Sequence, residues 1–475
     1  MRFQILSHAG LLIENNHTSL ICDPWLLGSC YWRSWWNYPP VSKELVDSLN
    51  PEFIYLTHIH WDHFQGDSLR KLGKDKKIIV PKGNYDRIKR DLNQMGFQHV
   101  IELKHGESLQ LAEKFKITSY QFGVFLDSAV VIEVDDQVLL NLNDCKHMGP
   151  TLQQIIKKHP VIDFVFRSHS TANSRLCYEI TDEPAVPVDD LEQYIQNFAY
   201  TVRATGARYA IPFASNHCHL HPEVMHFNNL VQTPRSVEQY FATHHITAPQ
   251  VKVMVSGDSF DSVTGFHIVG YDWFAKRDLE LQKYYEEKLP ILQAQADKEA
   301  KIGINLARMQ SYFSKFSKAI PWVIRRKFKG HPIVYVLQQG DKISLYEVNI
   351  TSGSVKALDT YNDVTHPIQI HTNAFLMRQC VSADLFSHLA ISKRVRYRTP
   401  KKLVKYIRLL NLLFNFYEYD MLPLRKLLQG RFWQTWLLRW RELWLYTQLL
   451  KDKIIYRKLD FTKYLPIRNC LDEST

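Results

Sequence analysis

From Tyr55 to His63 the chain reads Tyr-Leu-Thr-His-Ile-His-Trp-Asp-His, an apolar strand that runs directly into three histidines and an aspartate. Side chains alternate along a strand, so His58 and His60 leave its end on one side. The turn that follows brings Asp62 and His63 back beside them. Imidazole nitrogen and carboxylate oxygen are good ligands for zinc, iron or manganese. An ion held there lowers the pKa of bound water to about 7. The plain alternative is a His-rich surface turn, and with 21 histidines in 475 residues one pair would be unsurprising. Four ligand-type residues within six positions, directly behind an apolar strand, are not explained that way.

The surrounding sequence alternates short strands and helices up to about residue 270. Strands are predicted at Phe3–Leu6, Leu11–Glu14, Ser19–Cys22, Phe53–Leu56, Lys77–Val80, Val130–Val134, Val138–Asn141, Phe164–Arg167 and Arg208–Pro212. Several are unbroken apolar runs, the mark of strands covered on both faces. Helices are predicted at Gly66–Leu72, Tyr85–Gln94 and Asp189–Thr205, which gives a layered sheet with helices outside. Residues 277–317 are charged and helix-prone, 332–350 alternate around a Gly340-Asp341 turn, and 401–453 are helical with a break near Pro423. The division is 1–270 as a catalytic domain, 271–330 as a helical linker and 331–475 as a basic, aromatic-rich, α+β to helical region.

Seven cysteines are scattered without pairs, which fits a reducing compartment. No basic-then-apolar leader opens the sequence and no apolar run is long enough to span a bilayer, so the expected location is cytoplasmic, with the option of peripheral attachment to a membrane. The net charge of +11 is concentrated at the end: residues 391–475 carry nineteen Lys plus Arg against seven Asp plus Glu. Such asymmetry points to an anionic partner, a membrane surface or an acidic protein, with nucleic acid the lesser expectation. Arg431–Trp444 places Trp433, Trp436 or Leu437, Trp440 and Leu443 or Trp444 on one helical face. Beside basic residues that suits a membrane surface; the favoured reading is a helix docked on its own domain.

The His-x-His-x-Asp-His stretch resembles the signature of the metallo-β-lactamase superfamily. Ser7-His8-Ala9-Gly10 followed by Asp23-Pro24-Trp25-Leu26 resembles the branch containing CMP-N-acetylneuraminate hydroxylase and N-acylphosphatidylethanolamine phospholipase D. Trp35-Trp36, Asp127-Ser128, Asn141-Leu142-Asn143-Asp144-Cys145, Pro212-Phe213-Ala214 and His221-Pro222 extend the likeness over residues 1–270. The resemblance implies an αββα sandwich and two divalent ions, zinc in the first place, with iron or manganese as alternatives. It implies His58 and His60 on the first ion, Asp62 and His63 on the second or orienting the water, Asp144 bridging, and His221 closing the second site, with His217 and His219 as competitors. The family's further histidine, on the strand before the bridging aspartate, is missing. Gln121 takes its place in Ile117–Gly123, or His147 or His169 substitutes. His8 and Asp23 are expected to hold ligands rather than bind metal.

The leading expectation is a metal-dependent hydrolase acting on a small anionic (phospho)ester or amide, with Asp62 and His63 as the catalytic residues. An iron oxygenase in the same pocket, dependent on an external redox partner, is the second, and a non-catalytic scaffold the third. Arg33, Trp35 and Trp36, in the aromatic loop 31–40, are candidate substrate contacts, weighed evenly against a merely packed loop.

Overall fold

The structure is a computed structural model, and it describes residues 1–170, 172, 174–183 and 191–456. Asp189, at the start of one predicted helix, and Cys470 lie outside the described residues.

Two sheets face each other across an apolar layer. The first runs in spatial order Gly265–His267, Ser259–Asp261, Arg2–Ile5, Leu11–Asn15, Thr18–Cys22, Phe53–Tyr55, Lys77–Pro81 and Val100–Leu103. The second runs Gln250–Val251, Tyr209–Pro212, Phe164–Arg167, Gln137–Asn143, Asp127–Val134, Phe115–Phe122 and Ser108–Ala112. Alternation along each strand sorts the side chains. Phe3, Ile5, Leu11, Ile13 and Leu20 meet Ile117, Val130, Ile132, Phe164 and Phe166 between the sheets. Their neighbours Leu12, Ile21, Ile54 and Ile78 turn outward onto Leu69, Leu72, Ile88 and Leu92 of the helices Gly66–Leu72 and Arg87–Gln94. On the far side Val131, Leu140, Val165 and Ala210 meet Ile155, Phe198, Val202, Val237 and Phe241. Those residues belong to the helices Gly149–Lys158, Glu192–Thr205 and Pro234–Thr243. The order of layers is helix, sheet, sheet, helix, as the resemblance implies.

The remainder is built around a six-stranded sheet in the order Tyr178–Ile180, Val395–Thr399, Gln369–Asn373, Ile333–Gln339, Lys342–Asn349 and Ser354–Leu358. Its central hairpin turns at Gly340, whose φ of +56° suits a residue without Cβ. Helices Leu306–Ala319, Ala374–Ala383 and Val404–Glu418 pack on it through Phe313, Phe316, Leu376, Ile407 and Phe414.

The spatial units do not follow the divisions of the sequence. Tyr178–Ile180, from the first 270 residues, pairs in parallel with Val395–Thr399 of the last sheet. The helix Trp440–Tyr456 returns to the sandwich and buries Leu445 in its outer apolar layer. The stretch read as a linker is packed: Leu281, Tyr284 and Leu292 cover Trp36, Cys218 and Leu220. The described part of the basic end and the sandwich are therefore one continuous packed body.

Candidate metal centre

The ligand-type residues all leave the ends of strands. The strand Phe53–Tyr55 runs parallel to Thr18–Cys22 on one side and Lys77–Pro81 on the other, which fixes the loop that starts at Leu56. Asp23 follows Thr18–Cys22, Asp144 follows Gln137–Asn143, and His8 sits in the turn between Arg2–Ile5 and Leu11–Asn15. Asp23 and Asn143 have φ of +45° and +39°, left-handed backbone that aspartate and asparagine tolerate better than most residues.

Asp23 organises the loop. Its carboxylate accepts from the Thr57 backbone N–H at 2.8 Å and from the Thr57 hydroxyl at 2.7 Å, and lies 2.8 Å from Nδ1 of His63. With its proton committed to Asp23, Thr57 Oγ1 accepts from Nδ1 of His58 at 3.0 Å. Both rings then carry hydrogen on Nδ1 and present a lone pair at Nε2, the usual way an outer carboxylate prepares a ligand histidine. His58 Nε2 lies 2.9 Å from Nδ1 of His60. His63 Nε2 lies 3.4 Å from both Asp62 Oδ2 and Asp144 Oδ2. Asp62 Oδ2 is also 3.1 Å from Nε2 of His8, and its other oxygen accepts from the Tyr31 hydroxyl.

Two overlapping sets of atoms thus converge, His8, Asp62 and His63 in one and His58, His63 and Asp144 in the other, each with its donor atoms within 4.8 Å of one another. Two donors about 2.0–2.2 Å from one tetrahedral ion stand roughly 3.3 Å apart. The 3.1 and 3.4 Å separations match that spacing. The orphaned atoms agree. Nδ1 of His8 and both ring nitrogens of His217 are buried without a hydrogen-bond partner, a condition that costs about 1–3 kcal/mol per group unless something else binds them, while Nε2 of His8 and of His63 meet only the carboxylates named above. The residues present fit a divalent ion, and the mixture of imidazole and carboxylate admits zinc, iron or manganese.

Electrostatics divide the histidines. Burial holds His58 down to about 4 and His60 down to about 3, so both rings are neutral at ordinary pH. Burial acts the same way on His63, but Asp62 and Asp23 outweigh it and push this ring well above the normal range. Asp144 is pushed up by burial and drawn down further by His63, to about 2. A divalent cation would take over the charge balance that a proton on His63 otherwise supplies.

The structure brings His58, His60, Asp62, His63 and Asp144 together. It does not bring His221 to them. That ring accepts from the Glu223 N–H at 3.3 Å beside Glu299, and Arg394 occupies both carboxylates at 2.6–2.9 Å. Among its competitors, His217 is the one that faces the centre. It stacks on Trp35 at 3.7 Å and lies 5.4 Å from His8 between ring centres. His219 instead contacts Ser34 and Phe227. Gln121 does not stand in for the missing histidine, because its amide donates to Leu103 O at 2.8 Å, within the sandwich. His147 is tied to Tyr120 O. His169 is buried, and its ring, held down to about 3 by burial and then by His8, is neutral.

The aromatic loop is not a substrate mouth. Trp35 and Trp36 are each 1% exposed, and Arg33 bonds Ser29 Oγ. Tyr31, Trp32 and Arg33 all have φ between +53° and +66°. Three consecutive left-handed residues store strain, and here the strained turn delivers the Tyr31 hydroxyl to Asp62 and stacks Tyr31 on Trp61.

One residue was not foreseen from sequence. His388, from the helix Phe386–Ser392, lies 5.9 Å from His60 and 4.8 Å from Trp61 between ring centres. Its Nδ1 is 3.0 Å from buried Glu418, and its Nε2 is buried without a partner. A helical His-Leu pair more than 300 residues from the motif gives no signal in sequence. Beside it a cavity of about 250 Å³ is walled by His60, Asp127, Phe386, Asn411, Asn415 and Tyr419. Burial and then Asp144 raise the Asp127 carboxyl, while His60 opposes.

With this geometry established, comparison with known proteins adds the following. No family model matches the chain. A protein named for a Rieske 2Fe-2S iron–sulfur centre in Mycobacterium tuberculosis is 26% identical over 253 residues, 50% of this chain and 48% of that one. Cytidine monophosphate-N-acetylneuraminic acid hydroxylase of Gorilla gorilla gorilla is 29% identical over 147 residues, 30% of this chain and 24% of that one. The chain thus spans about half the length of the first of these relatives, and less of the second. Among solved structures, an isothiocyanate hydrolase from Delia radicum gut bacteria covers 55% of this chain and 99% of its own, at 14% identity and a TM-score of 0.41. The CmlA β-hydroxylase covers 54% and 52%, at 15% and 0.38. The four layers, with the ligand loop at the strand ends between the two sheets, decide the fold. The chain has the metallo-β-lactamase fold. No helix among the described residues is long and apolar enough to cross a membrane.

Proposed function

We propose that this chain is a metal-dependent hydrolase acting on a small substrate with an anionic ester or amide group. The observation that carries the reading is the pair of ligand sets joined at His63, with a carboxylate in each. His58 and Asp144 would hold one ion, with His60 adjoining them 2.9 Å from His58, and His8, Asp62 and His63 the other. When bound, the ions supply a Lewis acid and a hydroxide at neutral pH.

The rest falls to the chain's own residues. Asp23 and Thr57 lock the ring orientations of His63 and His58. Tyr31 restrains Asp62 so that Oδ2 faces the ligand nitrogens. Asn411, Asn415 and Ser387 offer neutral polar groups around the cavity beside His60, while Phe386 and Tyr419 supply apolar walls. Asp127 faces the same cavity and is placed to accept a proton from, or return one to, a substrate there. The anionic group of the substrate would be met by the ions, since no Lys or Arg among the described residues lines this cavity.

A second reading is hydroxylation with iron at the same ligands. Two observations favour it: the relatives named above for an iron–sulfur centre and for hydroxylation, and the carboxylates Asp62 and Asp144 in the ligand sets. Inserting one oxygen atom from O₂ reduces the other to water and consumes two electrons and two protons. No cysteine takes part in any metal-type cluster among the described residues, so the electrons would come from a group outside them. Activity assays on zinc-loaded and iron-loaded protein decide between the two. Turnover of phosphoester or amide substrates by the zinc form without oxygen supports hydrolysis. Product formation that needs iron, oxygen and a reductant replaces it with hydroxylation.

A further inference from the structure

Eleven of the twenty-five large apolar residues exposed among the described residues fall within residues 424–455, including Trp433, Trp440 and Trp444 at 54–56%. The helix Trp440–Tyr456 explains the concentration. Its inner face, Glu442, Leu445 and Asp452, is buried against the sandwich. A docked helix ordinarily turns a polar face to water. Here Trp440, Leu443, Trp444, Leu450, Ile454 and Ile455 point outward instead, and Trp433 and Leu437 extend the stripe one helix back. The helix is also pinned in place. Buried Arg439 pairs with Glu442 and donates to Gly123 O, while Glu442 accepts from Gly123 N. The apolar face is therefore presented by a fixed element.

The charge at its edge is of one sign. An open cleft there is lined by Trp440, Trp444, Lys157, Lys158 and Arg441, with no carboxylate among the described residues. Arg425 and Lys451 are exposed on the same segment. Exposed tryptophans ringed by cations are what the head-group layer of a bilayer accommodates, aromatic bodies among the acyl boundary and cations on lipid phosphates. We propose that this face docks the protein on a membrane surface rich in anionic lipid. A second copy fits less well, because a symmetric pairing through this stripe would set Lys157, Lys158 and Arg441 against their own copies. Residues 457–475 do not neutralise it either, carrying Arg457, Lys458, Lys463 and Arg468 against Asp460, Asp472 and Glu473.

The test is co-sedimentation of the full chain with vesicles of phosphatidylcholine alone and with one-third phosphatidylserine, followed also by tryptophan fluorescence. The expected result is binding to the anionic vesicles only, with a blue-shifted spectrum and release in high salt. Trp440→Glu with Trp444→Glu should weaken it more than tenfold. Lys157→Glu, Lys158→Glu and Arg441→Glu together should do the same, at about fivefold per cation. Val263→Glu, at an exposed site elsewhere, should leave it unchanged. Each of four results would overturn the proposal: equal binding to neutral vesicles, no binding by folded protein, binding only after removal of residues 457–475, or a dimer that Trp440→Glu dissociates.

Discussion

Asp23 Oδ2 lies 2.8 Å from Nδ1 of His63, both side chains wholly buried, so a residue forty positions upstream fixes which nitrogen of His63 faces the centre. Asp23→Asn keeps the size and loses the strong acceptor. It should lower metal affinity about 10–100-fold with the fold retained. Competition against a chelator measures the change, and unchanged affinity would mean that Asp23 serves only packing.

The pair Arg439 and Glu442 locks the last helix onto Gly123 with both side chains at 1% exposure. Arg439→Leu strands a buried carboxylate and should destabilise the protein by about 3–5 kcal/mol. Arg439→Leu with Glu442→Leu should cost distinctly less, because no charge is left unpaired. Denaturant unfolding of the single and double variants gives both values.

His147, away from the ligand sets, is held down to about 3 by burial. Its unfolded value is near 6.5, so the unfolded state binds the proton. The stability it contributes is present above about 6.5 and is lost as pH falls from there towards 3. By pH 5 the loss should reach about 2 kcal/mol. His147→Gln should flatten the dependence of melting temperature on pH between 7 and 5, and an unchanged slope would show that this ring is not the sensor.

Asn415 lines the cavity beside His60. Asn415→Trp should fill it, lowering kcat/KM by more than tenfold while metal content stays the same. Unchanged kinetics would place the substrate elsewhere.

Much of the sandwich was legible because its strands are continuous apolar runs. Phe115–Phe122 was not, since Thr118, Ser119 and Gln121 interrupt the pattern. All three are wholly buried, with Ser119 bonded to the Tyr55 hydroxyl and Gln121 to Leu103 O. The sequence pattern cannot show that a polar residue has found such a partner. That the side chains of His58–His63 cluster was legible because they are neighbours in sequence. His8 and His388 are brought in by pairing and packing between distant segments, which local spacing does not encode. On the strand His217–His219, period two put both histidines on one face. That His217 and not His221 meets the centre depends on the pairing of this strand with Trp35–Asn37.

The most direct test of the account is elemental analysis of protein purified without oxidation, beside His60→Ala and Asp144→Ala. The account predicts about two divalent ions per chain, with at least one lost in each variant while the circular dichroism spectrum is kept. A folded chain that holds no stoichiometric metal, or one whose metal content neither substitution changes, would contradict it.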